Sequence, residues 1–204
     1  MYYTQGNVDY SSRWLARGLA AAAVIYAFSA VSGAHADPAV TLGFVFRRVF
    51  PIGTAGAYIA AQFAGALVAA AIFFFAFGPE QLAMGASHPG PLISPFFAAA
   101  TETVLSFALV LVILMTAQEK PVVGPQAALA VGCTIAACGF AGGPLSGASM
   151  NPARTIAAQL LSGQYSNMWI YAAGPVAGAA VAVAVHALIC GRPNAAETRA
   201  AKGK

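Results

Sequence analysis

The sequence predicts an all-α membrane protein, an inverted repeat of five full spanning helices plus two re-entrant half-helices in a single transmembrane domain covering 1–204. Three observations predict it. Hydrophobic residues make up 59% of the chain and charged residues only 8%, against about 25% charged in soluble domains. Five apolar segments, 12–33, 53–77, 95–117, 125–143 and 166–190, reach the roughly 20 residues that a spanning helix needs. A short stretch also occurs twice, as SGAHADPAVTLG at 32–43 and SGASMNPARTIA at 146–157. Ser32, Gly33, Ala34, Pro38, Ala39 and Thr41 recur 114 residues later as Ser146, Gly147, Ala148, Pro152, Ala153 and Thr155, and Asp37 recurs as Asn151.

The elements follow in order. The first ten residues, MYYTQGNVDY, are polar and carry only Asp9 as a charge; they lack the basic region of a cleavable signal. Helix 12–33 runs into the first motif, where Asp37-Pro38 is an Asx N-cap followed by an N1 proline. That start predicts a half-length helix at 38–47, ending at Arg47 and Arg48. Gly78-Pro79 closes helix 53–77, and Pro89 to Pro91 mark the next connection. Helix 95–117 carries Glu102 in an apolar run. Pro121 and Pro125 precede helix 125–143, which leads to Asn151-Pro152 and a second half-helix at 152–162. Helix 166–190 is followed by a polar tail, 191–204.

The repeat extends past the motifs. Tyr58 and Gly65 have the spacing of Tyr171 and Gly178, so a first repeat spans 11–78 and a second 94–190. Gly56, Gly65, Gly174 and Gly178 suit close helix crossings. The second repeat has two full helices before its motif and the first repeat has one; the counterpart of 95–117 would lie before residue 11, and it is expected either to be missing or to lie upstream of Met1. Half-helices at matching places in two inverted halves point to a pore or binding site near the bilayer midplane.

Charge sets the orientation. With the 44–52 loop inside, Arg47, Arg48, Lys120, Arg192, Arg199, Lys202 and Lys204 lie inside, and Arg13, Arg17 and Arg154 lie outside or at pore depth. This obeys the positive-inside rule and makes the two motifs enter from opposite faces. The net charge of +4 is scattered without interleaved aromatic stacking groups, so no nucleic-acid partner is expected. Cys133, Cys138 and Cys190 have no metal or redox spacing and read as small packing residues. No cofactor, metal cluster, nucleotide loop or nucleophile–base pair appears, so an enzyme or a pump is not expected.

The SGAH…PAV and SGASMNPAR segments resemble the two signature loops of the major intrinsic proteins, the aquaporins and glycerol facilitators, and the resemblance covers about 12–190. It implies a right-handed helical bundle, assembly as a homotetramer in a lipid bilayer, such as a plasma membrane or bacterial inner membrane, and a separate pore in each unit for water and small neutral solutes. The pore motif would be Asp37, Pro38 and Ala39 with Asn151, Pro152 and Ala153. The sequence departs from the family at the absent first helix, at Asp37 in place of the usual Asn, and at Arg17.

The two half-helix N-termini would meet at the bilayer centre, each with about half a positive charge, repelling cations and tolerating neutral dipoles. Asn151 can donate an amide N–H to a passing oxygen; an ionised Asp37 can only accept. The resemblance places the selectivity filter at Arg17, Gly139, Ala148 and Arg154. Arg154 matches the filter arginine, and the small Gly139 and Ala148 imply a wide, glycerol-conducting type. Arg17, where an aromatic is usual, either points inward and charges the filter or snorkels to the outer headgroups. By the same resemblance Glu102 braces the second signature loop, while the first loop lacks its brace, and His35 lines the inner pore or makes a structural hydrogen bond. His88 and His186 read as loop and packing residues.

The leading expectation is a passive channel for water or small uncharged solutes. The alternatives are a non-conducting homologue acting only as a membrane assembly component, motivated by the absent helix, and an ion-leaky pore, motivated by Asp37. Secondary transport has no coupling-ion site to support it.

Overall fold

The computed structural model describes residues 10–117 and 126–203; Lys120, Pro121, Pro125 and Lys204 lie outside the described residues. Among the described residues the helices are α1 (Tyr10–Ser32), α2 (Pro38–Phe46), α3 (Ile52–Phe77), α4 (Pro79–Gly85), α5 (Pro95–Thr116), α6 (Ala127–Ser146), α7 (Pro152–Ser162), α8 (Met168–Cys190) and α9 (Ala195–Lys202). Helices α1, α3, α5, α6 and α8 are long and apolar enough to cross a membrane, and the chain is a multi-pass membrane protein. The half-helices α2 and α7 fall where the motifs place them.

Glycines set the closest crossings. A Cβ built at Gly18 on α1 would lie 2.3 Å from Gly132 O on α6, and one at Gly132 would lie 2.5 Å from Gly18 O. On α8, a Cβ at Gly178 would meet Thr103 O of α5 at 2.4 Å, and one at Gly174 would meet Glu102 Cβ at 2.7 Å. Without a hydrophobic force between helices in lipid, such close backbone approach is what holds them together. Gly174 and Gly178 therefore act as expected. Gly56 and Gly65 do not: among the described residues nothing lies within 4 Å of a Cβ built at either. Helix α3 packs on α2, α4 and α7 and leaves its other face open.

The half-helix α2 sits in a core of Ala39, Val40 and Phe44 against Val110 and Leu114 of α5 and Ala179 and Ala182 of α8. A second core joins Trp14, Leu105, Leu109, Val131, Ala148 and Met150.

Two helices depart from the expectation of plain connections. The short α4 lies in the 78–94 connection. The polar tail folds into α9, where the Asn194 side chain caps the helix by accepting from Glu197 N at 2.9 Å. Glu197 is wholly buried and receives Arg47 Nε at 2.7 Å and an Arg47 terminal nitrogen at 3.0 Å. Arg47 also donates to Gly191 O at 2.8 Å. A charged residue in a short polar tail reads as solvated; its buried partner, 150 positions away, leaves no local trace.

Candidate pore site

Both motifs turn the chain in the same way. Gly33 and Ala34 have φ of +73° and +52°, and Gly147 and Ala148 have +77° and +40°. This left-handed pair ends the spanning helix and sends the chain back into the bundle. An alanine there carries strain of about 1–2 kcal/mol, so it persists only where its surroundings fix it. Glycine is further required at 33 because a Cβ would meet Ala200 O of α9 at 2.8 Å.

The caps follow. Asp37, in extended backbone, accepts from Ala39 N at 2.8 Å, with Pro38 at N1 of α2. Asn151 accepts from Arg154 N at 3.1 Å, with Pro152 at N1 of α7. Ala39 and Ala153 are buried against the bundle, where a larger side chain would separate the half-helices from it. The other end of the Asn151 amide joins the two repeats: Nδ2 donates to Ala36 O at 2.8 Å, one residue before Asp37. The two half-helix N-termini are thereby brought to one place.

Glu102 holds the second loop. It is 0% exposed. Oε1 accepts from Ser146 Oγ at 2.7 Å and Ser149 N at 2.8 Å, and Oε2 accepts from Met150 N at 2.7 Å. Three donors around one carboxylate satisfy backbone groups that a buried irregular loop would otherwise leave unpaired. Tyr171 adds a bond from its hydroxyl to Ser146 O at 2.7 Å, and Tyr58 repeats it on Ser32 O at 3.1 Å. The first loop is held differently: Ala36 N donates to Ala34 O at 2.8 Å, and Gln62 Nε2 donates to His35 O and to Thr41 Oγ1, the latter at 2.9 Å.

A cavity of about 1260 Å³ is lined by Arg17, Asp37, Asn151 and Arg154, with apolar walls that include Ile25, Phe44, Ile113 and Ile135. Along α1 it extends from Arg17 to Ala30, roughly 20 Å at about 1.5 Å per residue. Arg199 of α9 and Gly203, which ends that helix, line it as well.

Arg17 points inward. It donates to Ala148 O at 2.7 Å and Ser149 O at 2.6 Å, and its guanidinium carbon stands 5.5 Å from the Trp14 ring centroid. Two loop carbonyls and an aromatic face outweigh snorkelling, because the loop leaves those carbonyls without helical partners. Arg154 donates to Ser87 Oγ at 2.9 Å and Thr155 Oγ1 at 3.2 Å, with Gly85 O at 3.4 Å.

Three of the residues expected to form the filter or line the pore stand apart from the cavity. Gly139 and Ala148 are buried and do not line it. The space that Gly139 leaves is filled: a Cβ there would lie 2.2 Å from Trp14 Cε3. The glycine at 139 therefore opens no room of its own. His35 is also buried away from the cavity. It stacks on Phe44 with ring centroids 4.8 Å apart and lies within a cluster with Phe50 and Tyr58, and Nδ1 is 3.4 Å from Thr41 Oγ1.

Sequence reasoning missed Trp14, Ser87 and Gln62. Ser87, in the 78–94 connection, bonds Arg154, Gly147 O at 3.2 Å and Thr155. A serine in a polar connection gives no signal of this. Trp14 had one: it lies three residues before Arg17, on the same helix face.

The profile of the family described as Major intrinsic protein matches residues 2–186. Aquaporin NIP1-4 of Oryza sativa subsp. japonica is 40% identical over 185 residues, covering 91% of this chain and 67% of that protein. Putative aquaporin NIP4-1 of Arabidopsis thaliana is 39% identical, covering 85% of this chain and 60% of that protein. The chain thus spans 60–67% of the length of these curated relatives. The X-ray structure of the aquaglyceroporin from Plasmodium falciparum superposes with a TM-score of 0.81 at 23% identity, covering 93% of this chain and 86% of that one. At that identity the likeness shows the fold alone.

Proposed function

The chain belongs to the major intrinsic protein family, and from that premise we propose that it is a passive channel for water and small uncharged solutes, working as a homotetramer with one pore per unit. The observation that carries this reading is the bond from Asn151 Nδ2 to Ala36 O at 2.8 Å. It supports a meeting of two half-helix N-termini at one point beside a cavity lined by Asp37, Asn151 and Arg154. Each N-terminus carries about half a positive charge, and Arg154 adds a fixed one. A neutral dipole can trade hydrogen bonds there; a cation meets repulsion at a place where its hydration is stripped. Glu102 and Tyr171 hold the loop, and Arg17 and Arg154 set the charged part of the filter. The apolar walls offer a permeating molecule few competing partners, which favours fast passage.

Stopped-flow light scattering on proteoliposomes tests this. Under an impermeant osmolyte, shrinkage faster than that of empty vesicles is expected, with a low activation energy. Ala21, which lines the cavity, gives a plug: Ala21→Trp should abolish the fast phase while the protein remains folded. A glycerol gradient then reports whether solutes larger than water pass. Water permeability equal to that of empty vesicles, with inserted and folded protein, would instead support the non-conducting alternative.

A further inference from the structure

Resting on the channel reading above, we propose that Arg17 is the counter-charge of Asp37, and that the pair together keeps cations out of the pore.

Two N-termini supply about half a positive charge each, so an ionised carboxylate at one cap cancels about the whole field. Asp37 is such a cap, 7% exposed and bonded to Ala39 N. It is the carboxylate among the side chains that line the cavity, where Arg17, Arg154 and Arg199 are the cations. Arg154 is turned towards Ser87 and Gly85 in the 78–94 connection, and Arg199 belongs to α9, which packs where α1 ends at Gly33. Arg17 is different. Its two bonds to Ala148 O and Ser149 O fix the guanidinium on the loop whose Asn151 amide grips Ala36 O, next to Asp37. Arg17 and Asp37 face the same cavity. Glu102, the other carboxylate near this loop, is occupied by Ser146 Oγ, Ser149 N and Met150 N, so Arg17 is not needed to satisfy it.

One positive charge on α1 thus replaces what the carboxylate removes. Arg17 stands where the resemblance expects an aromatic, and Asp37 where it expects an amide. On this reading these two departures form one compensated change, and Arg17 is a specificity-determining residue whose function is its charge, beyond its grip on the loop.

The experiment uses the full chain in proteoliposomes with an internal pH dye and a valinomycin-set potassium potential, and reads water permeability and proton leak on the same vesicles. Arg17→Met and Arg17→Gln remove the charge; the glutamine can still donate to the loop carbonyls. Both are expected to leak about tenfold faster than the parent. Arg17→Lys, Asp37→Asn and the double variant R17M/D37N are expected to stay as tight as the parent. A neutral Arg17 variant that passes water normally and leaks no faster than the parent would overturn the proposal. So would a double variant that leaks as fast as Arg17→Met, because the leak would then be independent of Asp37. If the parent passes no water, the channel reading fails instead, and the two failures are distinguishable.

Discussion

Trp14 and Gly139 are fitted to each other across the α1–α6 contact: a Cβ built at Gly139 would lie 2.2 Å from Trp14 Cε3 and 2.5 Å from Cδ2. Gly143, one turn on, makes the same room, with a Cβ there 2.6 Å from Trp14 Cζ2. The indole lies in a trough that two glycines leave on α6, its ring centroid 6.0 Å from that of Tyr10 in an edge-to-face arrangement and its face under Arg17. Gly139 is thus a packing residue that positions Trp14, and through it Arg17.

This fit makes Gly139→Ala a test of packing. The added methyl meets a ring that is 5% exposed and has nowhere to move, and overpacking of this kind costs about 1–3 kcal/mol. A lower melting temperature in detergent is expected, together with slower water passage as Arg17 shifts. Trp14→Phe in the same chain should restore part of both. Unchanged melting for Gly139→Ala would mean that α1 and α6 can separate at no cost.

Glu102→Gln should weaken the second loop without unfolding the bundle. The carboxylate uses both oxygens as acceptors, for Ser149 N and Met150 N respectively. An amide keeps one acceptor and turns an NH2 towards the other donor. A buried N–H left unpaired costs about 1–3 kcal/mol. Thermal melting should fall by a corresponding amount and osmotic water permeability with it, because Met150 and Asn151 are one step apart. Glu102→Ala should lose more of both. A permeability that is unmoved while melting falls would separate the loop's stability from its part in the pore.

How much of this was legible in the sequence follows from the range of each interaction. The spanning helices and both half-helices were, because apolar length and an Asx-Pro start are local signals. Asp37 and Asn151 do cap α2 and α7. Arg17's direction was not, since inward and snorkelling rotamers start from the same helix position; two carbonyls freed by the second loop decide it. Trp14 beside Gly139 was not legible either: a glycine shows that space exists and is silent on what fills it. The close crossings at Gly174 and Gly178 and the open positions Gly56 and Gly65 share one composition; only the packing distinguishes them.

That contrast is itself testable. Gly178→Val places branched carbons where a Cβ would already stand 2.4 Å from Thr103 O and 2.7 Å from Phe107 N. Backbone cannot yield there, so α8 must part from α5, and a loss of folded protein by size-exclusion chromatography is expected. Gly65→Val, its counterpart in the first repeat, meets nothing within 4 Å among the described residues. It should change stability by no more than about 0.5 kcal/mol. Equal damage from both would mean that the open face of α3 is covered in the assembled protein.

The buried pair Arg47–Glu197 gives the last prediction. The two residues are 3% and 0% exposed, and the carboxylate takes two bonds from one guanidinium, at 2.7 Å and 3.0 Å. Removing one partner leaves an unpaired charge out of water, which costs about 3–5 kcal/mol. Helix α9 is short, and beside the ion pair it sets Ala200 against Gly33, packs Ala201 in the α2 core and carries the Asn194 cap. The chain has a cheaper response than unfolding, which is to release α9 and rehydrate the charge. Glu197→Gln and Arg47→Met should therefore expose the tail to trypsin at Arg199 and Lys202 while the membrane helices stay resistant. The double variant R47M/E197M removes both charges and restores an apolar contact, so protection of the tail should return. If the single variants leave the tail as resistant as the parent, α9 is held by its apolar contacts and cap, and the ion pair contributes little to its docking.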